Sequence, residues 1–243
     1  MKRLLAVGAA LVVGLCAMEA AAQDIRFVTG LAQGEFRSLS KEAGAALAYK
    51  NVAPAAPLGI TGFDVAIEAS AIDIKKESSY WKSAFNNDAP DYLIIPRLRV
   101  RKGLPFGIDV GAMYSYVPDS NVKIWGVELG KALLEGTAAT PALGVRATYT
   151  RLAGVNDLDL QTVGVDASLS KGFVILTPYV GGGMVWIDST PKGAVIGSLA
   201  EEKIWQPRGF VGLKLTPFPL FAITAEAEYA VRPIYSLKAA VNF

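Results

Sequence analysis

From about Ile60 to the C-terminus the chain alternates, with apolar or aromatic side chains at one parity and glycine, polar or charged residues at the other. This is the period-two signature of strands with one apolar face. Phe63, Val65, Ile67, Ala69 and Ala71 share a face, and Asp64, Glu68 and Ser70 share the opposite one. Tyr92, Ile94, Leu98 and Val100 oppose Arg97, Arg99 and Arg101, and the stretch from Phe106 to Tyr116 sets Val110, Ala112 and Tyr114 against Asp109, Gly111 and Ser115. Val127 and Leu129 oppose Glu128, Val145 and Ala147 oppose Arg146, and Val165 and Ala167 oppose Asp166. Val180 and Met184 oppose Gly181 and Gly183, and Val211 and Leu213 oppose Arg208 and Lys214. Ile223, Ala225 and Ala227 oppose Glu226 and Glu228, and Leu237, Ala239 and Val241 oppose Lys238. The pattern predicts about ten strands of roughly 10–15 residues, and counts from about eight to twelve fit it, because periodicity places strand ends only to within a few residues.

The segment ahead of the alternation reads differently. Phe36, Leu39, Ala43 and Leu47 fall on one helical face, and Pro54, Pro57 and Gly59 stop a helix before the first strand, so a short amphipathic helix is expected over Ser38–Tyr49. Ala43, Ala45, Leu47 and Tyr49 also alternate, which leaves a further strand as the alternative. Should the strands close into a barrel, residues 23–59 form either a plug, inside it or against its periplasmic mouth, or a simple periplasmic lead-in. Residues 60–243 form the strand domain.

At the N-terminus, Lys2 and Arg3 precede the apolar run Leu4 to Ala17, and Ala20, Ala21 and Ala22 lead into Gln23. Residues 1–22 read as a cleaved secretory signal peptide. The single cysteine, Cys16, follows Leu15 rather than a small residue, so it reads as part of the apolar region and not as a lipidation site. The mature chain then has no thiol and no disulfide.

Composition narrows the class. The chain has 243 residues, is 52% hydrophobic and 19% charged, and carries a formal net charge of +2. No apolar run after the N-terminus reaches the roughly 18 residues that a membrane helix needs. With 0 histidines, imidazole-based acid–base catalysis, Ser-His-Asp hydrolysis and histidine metal sites are excluded, and no cofactor or metal site is expected. Dispersed, nearly balanced charge argues against a nucleic-acid partner. A soluble β-sandwich is the competing architecture. An export signal, long strands, a glycine-rich polar face and absent cysteine together favour a closed antiparallel transmembrane β-barrel, since open sheet edges cannot sit in hydrocarbon.

Connection lengths orient the barrel. The two longest, about 75–91 and 188–203, fall on one side, and short links such as 102–105, 171–172 and 216–219 fall on the other, which implies outer loops, periplasmic turns and both termini in the periplasm. Tyr92, Tyr114, Tyr116, Trp125, Tyr149, Trp186, Trp205, Tyr229 and Tyr235 lie near outer strand ends, and Phe63, Phe106, Phe173, Phe221 and Phe243 near inner ends. Two interfacial girdles are expected.

The last segment, Tyr235 to Phe243, has apolar residues at alternate positions and ends on an aromatic. It resembles the C-terminal strand signature of Gram-negative outer-membrane β-barrel proteins, of a small and functionally uncharacterised type. The resemblance covers Ile60 to Phe243. It implies an outer-membrane location, a lipid surround, and a signal, centred on Tyr235 and Phe243, that the barrel assembly machinery reads. A monomer is expected. Outer-membrane hydrolases of similar architecture depend on histidine, so an enzyme is not expected.

The polar face supplies the candidate site: Arg97, Arg99, Arg101, Arg146, Arg208, Lys214 and Lys238 with Asp64, Glu68, Asp109, Glu128, Asp166, Glu226 and Glu228. In a barrel of about ten strands such residues form a charge network filling the lumen, or they line a solute path that the row Arg97, Arg99, Arg101 biases toward anions. The expected role is structural or limited passage of small solutes. The alternative is a recognition or adhesion barrel acting through loops 75–91 and 188–203. Tyr80, Trp81 and Phe85 in the first loop would then form a binding surface or rest at the head-group boundary.

Overall fold

The computed structural model describes residues 31–85, 89–117, 120–192 and 199–243. The segment read as an export signal, with Cys16, lies outside them. Ten strands make a closed antiparallel barrel: β1 (Phe63–Asp73), β2 (Tyr92–Leu104), β3 (Ile108–Tyr116), β4 (Lys123–Leu134), β5 (Ala142–Ala153), β6 (Leu158–Ser170), β7 (Leu176–Pro191), β8 (Glu202–Phe218), β9 (Phe221–Tyr229) and β10 (Pro233–Asn242). Each strand pairs with its sequence neighbours, and β1 closes on β10 in a register running from Asp64↔Asn242 to Ile72↔Ile234. Phe63 and Phe243 complete the seam by exchanging backbone hydrogen bonds of 3.0 and 2.9 Å. No described helix is long and apolar enough to cross a membrane.

Alternation sorts the two faces as the period-two pattern requires. Val127, Leu129, Val165 and Val211 point outward and are exposed, whereas Glu128, Arg146, Asp166 and Arg208 point inward and are buried. Apolar outside and charged inside is the reverse of a water-soluble domain. Tyr92, Tyr114, Trp125, Trp205 and Tyr229 stand exposed on the exterior toward the end that carries the long connections. There the Trp125 and Tyr149 rings meet at 5.5 Å. Phe63, Phe106, Phe173 and Phe243 are exposed toward the short-turn end.

The helix exists, but it is displaced from its expected span. α1 covers Gln33–Leu47 rather than Ser38–Tyr49. It stops ahead of Pro54 because wall and chain side chains take its last carbonyls: Lys50 Nζ donates to Ala45 O (2.6 Å) and Arg97 donates to Ala46 O (2.9 Å). Residues 48–62 then run as irregular chain with bends and a turn, so the alternation at Ala43 to Tyr49 does not make another strand.

The helix lies inside the barrel, toward the long-loop end. Gln33 Nε2 donates to Glu202 (2.6 Å) at the start of β8, and Ser40 meets Ser189 of β7 at 2.8 Å. Both termini are expected on the short-turn side; the N-terminal one lies outside the described residues, but Leu31 to Gln33 sit with the long connections, while Phe243 sits with the short turns. Close approach of helix and wall depends on Gly44, where an added Cβ would fall 2.5 Å from Ile187 Cγ2. Gly44→Val is expected to lower stability by about 1–3 kcal/mol through overpacking, read as a reduced urea midpoint for the refolded barrel.

Two loop expectations are also revised. Asp188 to Pro191 and Glu202 to Lys203 are paired strand, so the seventh connection is residues 192–201 rather than 188–203. In the first connection, Tyr80, Trp81 and Phe85 form neither an exposed surface nor a head-group contact. α2 (Ser79–Ala84) folds them onto α1, where they are buried with Phe36, Leu39 and Leu47 in one hydrophobic cluster. Buried Glu42 fixes this lid by accepting from Tyr80 Oη (3.0 Å) and Trp81 Nε1 (2.5 Å).

Candidate functional site: the occupied lumen

All fourteen charged residues singled out above face the lumen. Thirteen are buried, and Lys214, near the short-turn end, is partly exposed. The Asn242 amide sits with its oxygen toward Lys214 Nζ (2.9 Å) and its nitrogen toward Asp64 (3.2 Å), the assignment that pairs donors with acceptors. Lys238 Nζ pairs with Asp64 at 3.2 Å.

The rest, Glu226 excepted, form a connected chain of ion pairs around the wall. Glu68 meets Arg97 (3.2 Å) and Arg99 (3.6 Å). Glu128 is the hub, with Arg99 at 2.8 Å, Arg101 at 2.5 Å and Arg146 at 3.5 Å. Arg101 continues to Asp109 (3.1 Å), and Arg146 to Asp166 (2.7 Å). Asp166 also binds Arg208, whose Nε lies 2.7 Å away, and Arg208 approaches Glu228 at 3.7 Å. Such burial desolvates every group, so the network holds only while each charge keeps its partners.

Several of these contacts skip a strand, and glycine makes that reach available. Arg208 on β8 and Asp166 on β6 are both register partners of Gly183 on β7. A Cβ at Gly183 would stand 2.7 Å from Asp166 Oδ1. Gly111 on β3 lies in the same way between Arg101 and Glu128. Gly212 on β8 lies between Tyr179 and Glu226, whose hydroxyl-to-carboxylate bond is 2.9 Å. The glycine-rich inner face is a set of gaps through which next-but-one strands bond.

The network also binds the chain that passes through it. Arg97, Arg208, Arg146 and Arg99 donate to the carbonyls of Ala46 (2.9 Å), Tyr49 (2.7 Å), Lys50 (3.3 Å) and Asn51 (2.7 Å) respectively. Acceptors on the wall take the amides: Glu226 from Val52 N (2.9 Å), Ser170 Oγ from Ala55 N (3.1 Å) and Asp109 from Leu58 N (3.1 Å). Lys50 Nζ pairs with Glu228 at 2.9 Å. The Tyr49 ring lies under the Arg99 guanidinium, 4.9 Å from its centroid, while its hydroxyl has no hydrogen-bond partner among the described residues. Outside the strands, the Ser79 hydroxyl holds the Glu35 carboxyl below its ordinary range, and Lys82 does the same for Glu77.

Lys50, Tyr49, Tyr179 and Ser170 were not singled out in the sequence. Lys50 sits outside the alternation, so no parity assigns it to the lumen. A lone lysine between a helical face and a proline-rich stretch carries no signal of burial. Among the described residues no cluster of carboxylates is arranged to hold a metal ion.

No protein-family model and no curated protein matches this sequence. Solved structures similar to it in fold include the N-terminal β-barrel domain of Pseudomonas aeruginosa OprF, with 15% identity over 74% of this chain and 97% of that one and a TM-score of 0.36. The KdgM porin matches at 10% identity over 74% and 99%, with a TM-score of 0.39. Ail of Yersinia pestis matches at 13% identity over 75% and 99%, with a TM-score of 0.34.

Proposed function

We propose that this protein is an outer-membrane β-barrel of a Gram-negative envelope, exported through a cleaved signal peptide, whose lumen is filled by its own N-terminal segment and whose role is structural. The apolar exterior between two aromatic girdles supports the membrane location, since water-exposed barrels do not present such a belt. The observation that carries the role is the bonded occupant. Residues 46–58 are tied to the wall at main-chain carbonyls and amides along the lumen, which supports a filled lumen over a solute path. The arginine row, which alone would favour anion passage, is engaged with carboxylates and carbonyls instead. The barrel acts as a monomer in lipid, and Tyr235 and Phe243 serve as the assembly signal on the closing strand.

Recognition through the long loops is the less supported reading, because the aromatic rings that would form such a surface are buried between α2 and α1. The whole chain, refolded and added to planar bilayers, is expected to give no discrete ion currents while fractionating with the outer membrane. Regular current steps from the intact chain would overturn the filled-lumen role. Recovery as a soluble periplasmic protein would overturn the membrane location.

A further inference from the structure

The path of residues 31–62 can be followed by its contacts with successive levels of the wall. Gln33 bonds Ala200 and Glu202 at the long-loop end, and Ala200 N returns a bond to Gln33 at 2.9 Å. Ser40 meets Ser189, and Gly44 packs on Ile187. Tyr49 to Val52 lie at the level of Arg208, Arg99 and Glu226, in mid-wall. Ala55 reaches Ser170 at the foot of β6, Leu58 reaches Asp109 at the foot of β3, and the Ile60 carbonyl takes Lys102 Nζ near the foot of β2. The descent is monotonic. The chain enters at one mouth and leaves at the other before β1 begins.

We infer that the barrel holds the start of α1, residues 31–34, on the extracellular side, with residues 31–62 crossing the membrane through its own lumen. The inference rests on the proposed orientation, with long loops outside. Its distinctive content is that the chain crosses the membrane once within the barrel and then in ten strands. An even number of strands alone would return both ends to the periplasm. The internal pass places residues 31–34 on the opposite side.

What secures the thread is chemistry addressed to the backbone. The wall's arginines and carboxylates bond carbonyls and amides of residues 46–58, and the Lys50 and Tyr49 side chains add contacts to Glu228 and Arg99. At the outer mouth the thread is fastened by side chains: Arg37 to Glu202 at 2.5 Å, and Glu42 to the α2 rings. Ala32 and Gly34 remain exposed there. Residues 31–34, the first of the described chain, therefore stand on the face of the long loops.

The mature chain has no cysteine once residues 1–22 are removed, so single-cysteine labelling reads this directly. Ala32→Cys and Gly34→Cys report the helix start. Asn156→Cys, exposed in the β5–β6 connection, reports the long-loop side, and Ala138→Cys, exposed in the β4–β5 turn, reports the short-turn side. Intact cells are treated with a membrane-impermeant maleimide, and the parent chain sets the background. The expected result is labelling at 32 and 34 equal to that at 156, with 138 labelled only after lysis. Labelling at 156 in intact cells, with 32 and 34 reached only after lysis, would overturn the inference while leaving the barrel's orientation intact. Labelling at 138 but not at 156, or at neither, would overturn the orientation itself and this inference with it.

Discussion

Glu128→Gln is expected to destabilise the folded barrel by about 3–5 kcal/mol, the cost of removing one partner from a buried ion pair. The hub carboxylate lies against three guanidinium groups, at 2.8, 2.5 and 3.5 Å. Glutamine keeps its shape but leaves Arg99, Arg101 and Arg146 with a net excess of buried positive charge. Arg99 and Arg146 also hold carbonyls of residues 50 and 51, so the damage spreads to the lumen occupant. Urea titration of the barrel refolded in lipid vesicles, followed by tryptophan fluorescence, measures the loss. Glu201→Gln is the control, because its pair with Lys203 is half exposed and worth little. If Glu128→Gln shifts the midpoint no further than Glu201→Gln does, the network is not what holds the lumen together.

Deleting residues 31–52 should convert a silent barrel into a conducting one. The deletion removes α1 and the stretch gripped by the four arginines, and it strands Glu228 without Lys50. The vacated wall carries seven basic and seven acidic groups, those enumerated in the sequence, so the lumen would flood with water and the current should show weak selectivity between cations and anions. Burial of Phe36, Leu39, Trp81 and Phe85 in a shared cluster means that the deletion also loosens α2, and the urea midpoint should fall along with the gain in current. Heat-dependent gel mobility establishes that the shortened barrel has closed. A closed, shortened barrel that stays silent would show that wall side chains alone seal the lumen.

The wall was legible in the sequence because a strand writes its environment into every second residue. Val165 against Asp166, or Val211 against Arg208, assigns a face without reference to any other strand. The inner charges could be named for the same reason. Their partners could not, because Arg208 reaches Asp166 over Gly183 from a strand that is not its neighbour, and a period of two says nothing about next-but-one contacts. Gly111 and Gly183 were visible as small residues on the polar face, but their meaning as gaps needs the register. The direction of the thread was hidden for another reason. A helix whose apolar face is Phe36, Leu39 and Leu47 fits either mouth of a barrel, and it is tied to one of them by polar contacts, Glu42 with Tyr80 and Trp81 and Gln33 and Arg37 with Glu202. Connection lengths put both ends on one side, and although a plug in the barrel is one alternative, no pattern in residues 23–59 says that the segment runs from one mouth to the other.

The seam between β1 and β10 fixes an order of events during biogenesis. A ring that has shut around a strand of its own chain can receive that strand afterwards only end-first, through a passage already crowded with arginine and glutamate side chains. Folding is simplest if residues 31–58 settle against the growing sheet before β10 meets β1, so that seam closure comes last and its nine register pairs are the final contacts to form. Withdrawal then requires either the seam to part or the whole thread to be dragged past its bonds. Once assembled, the barrel persists by a kinetic barrier as much as by its equilibrium free energy.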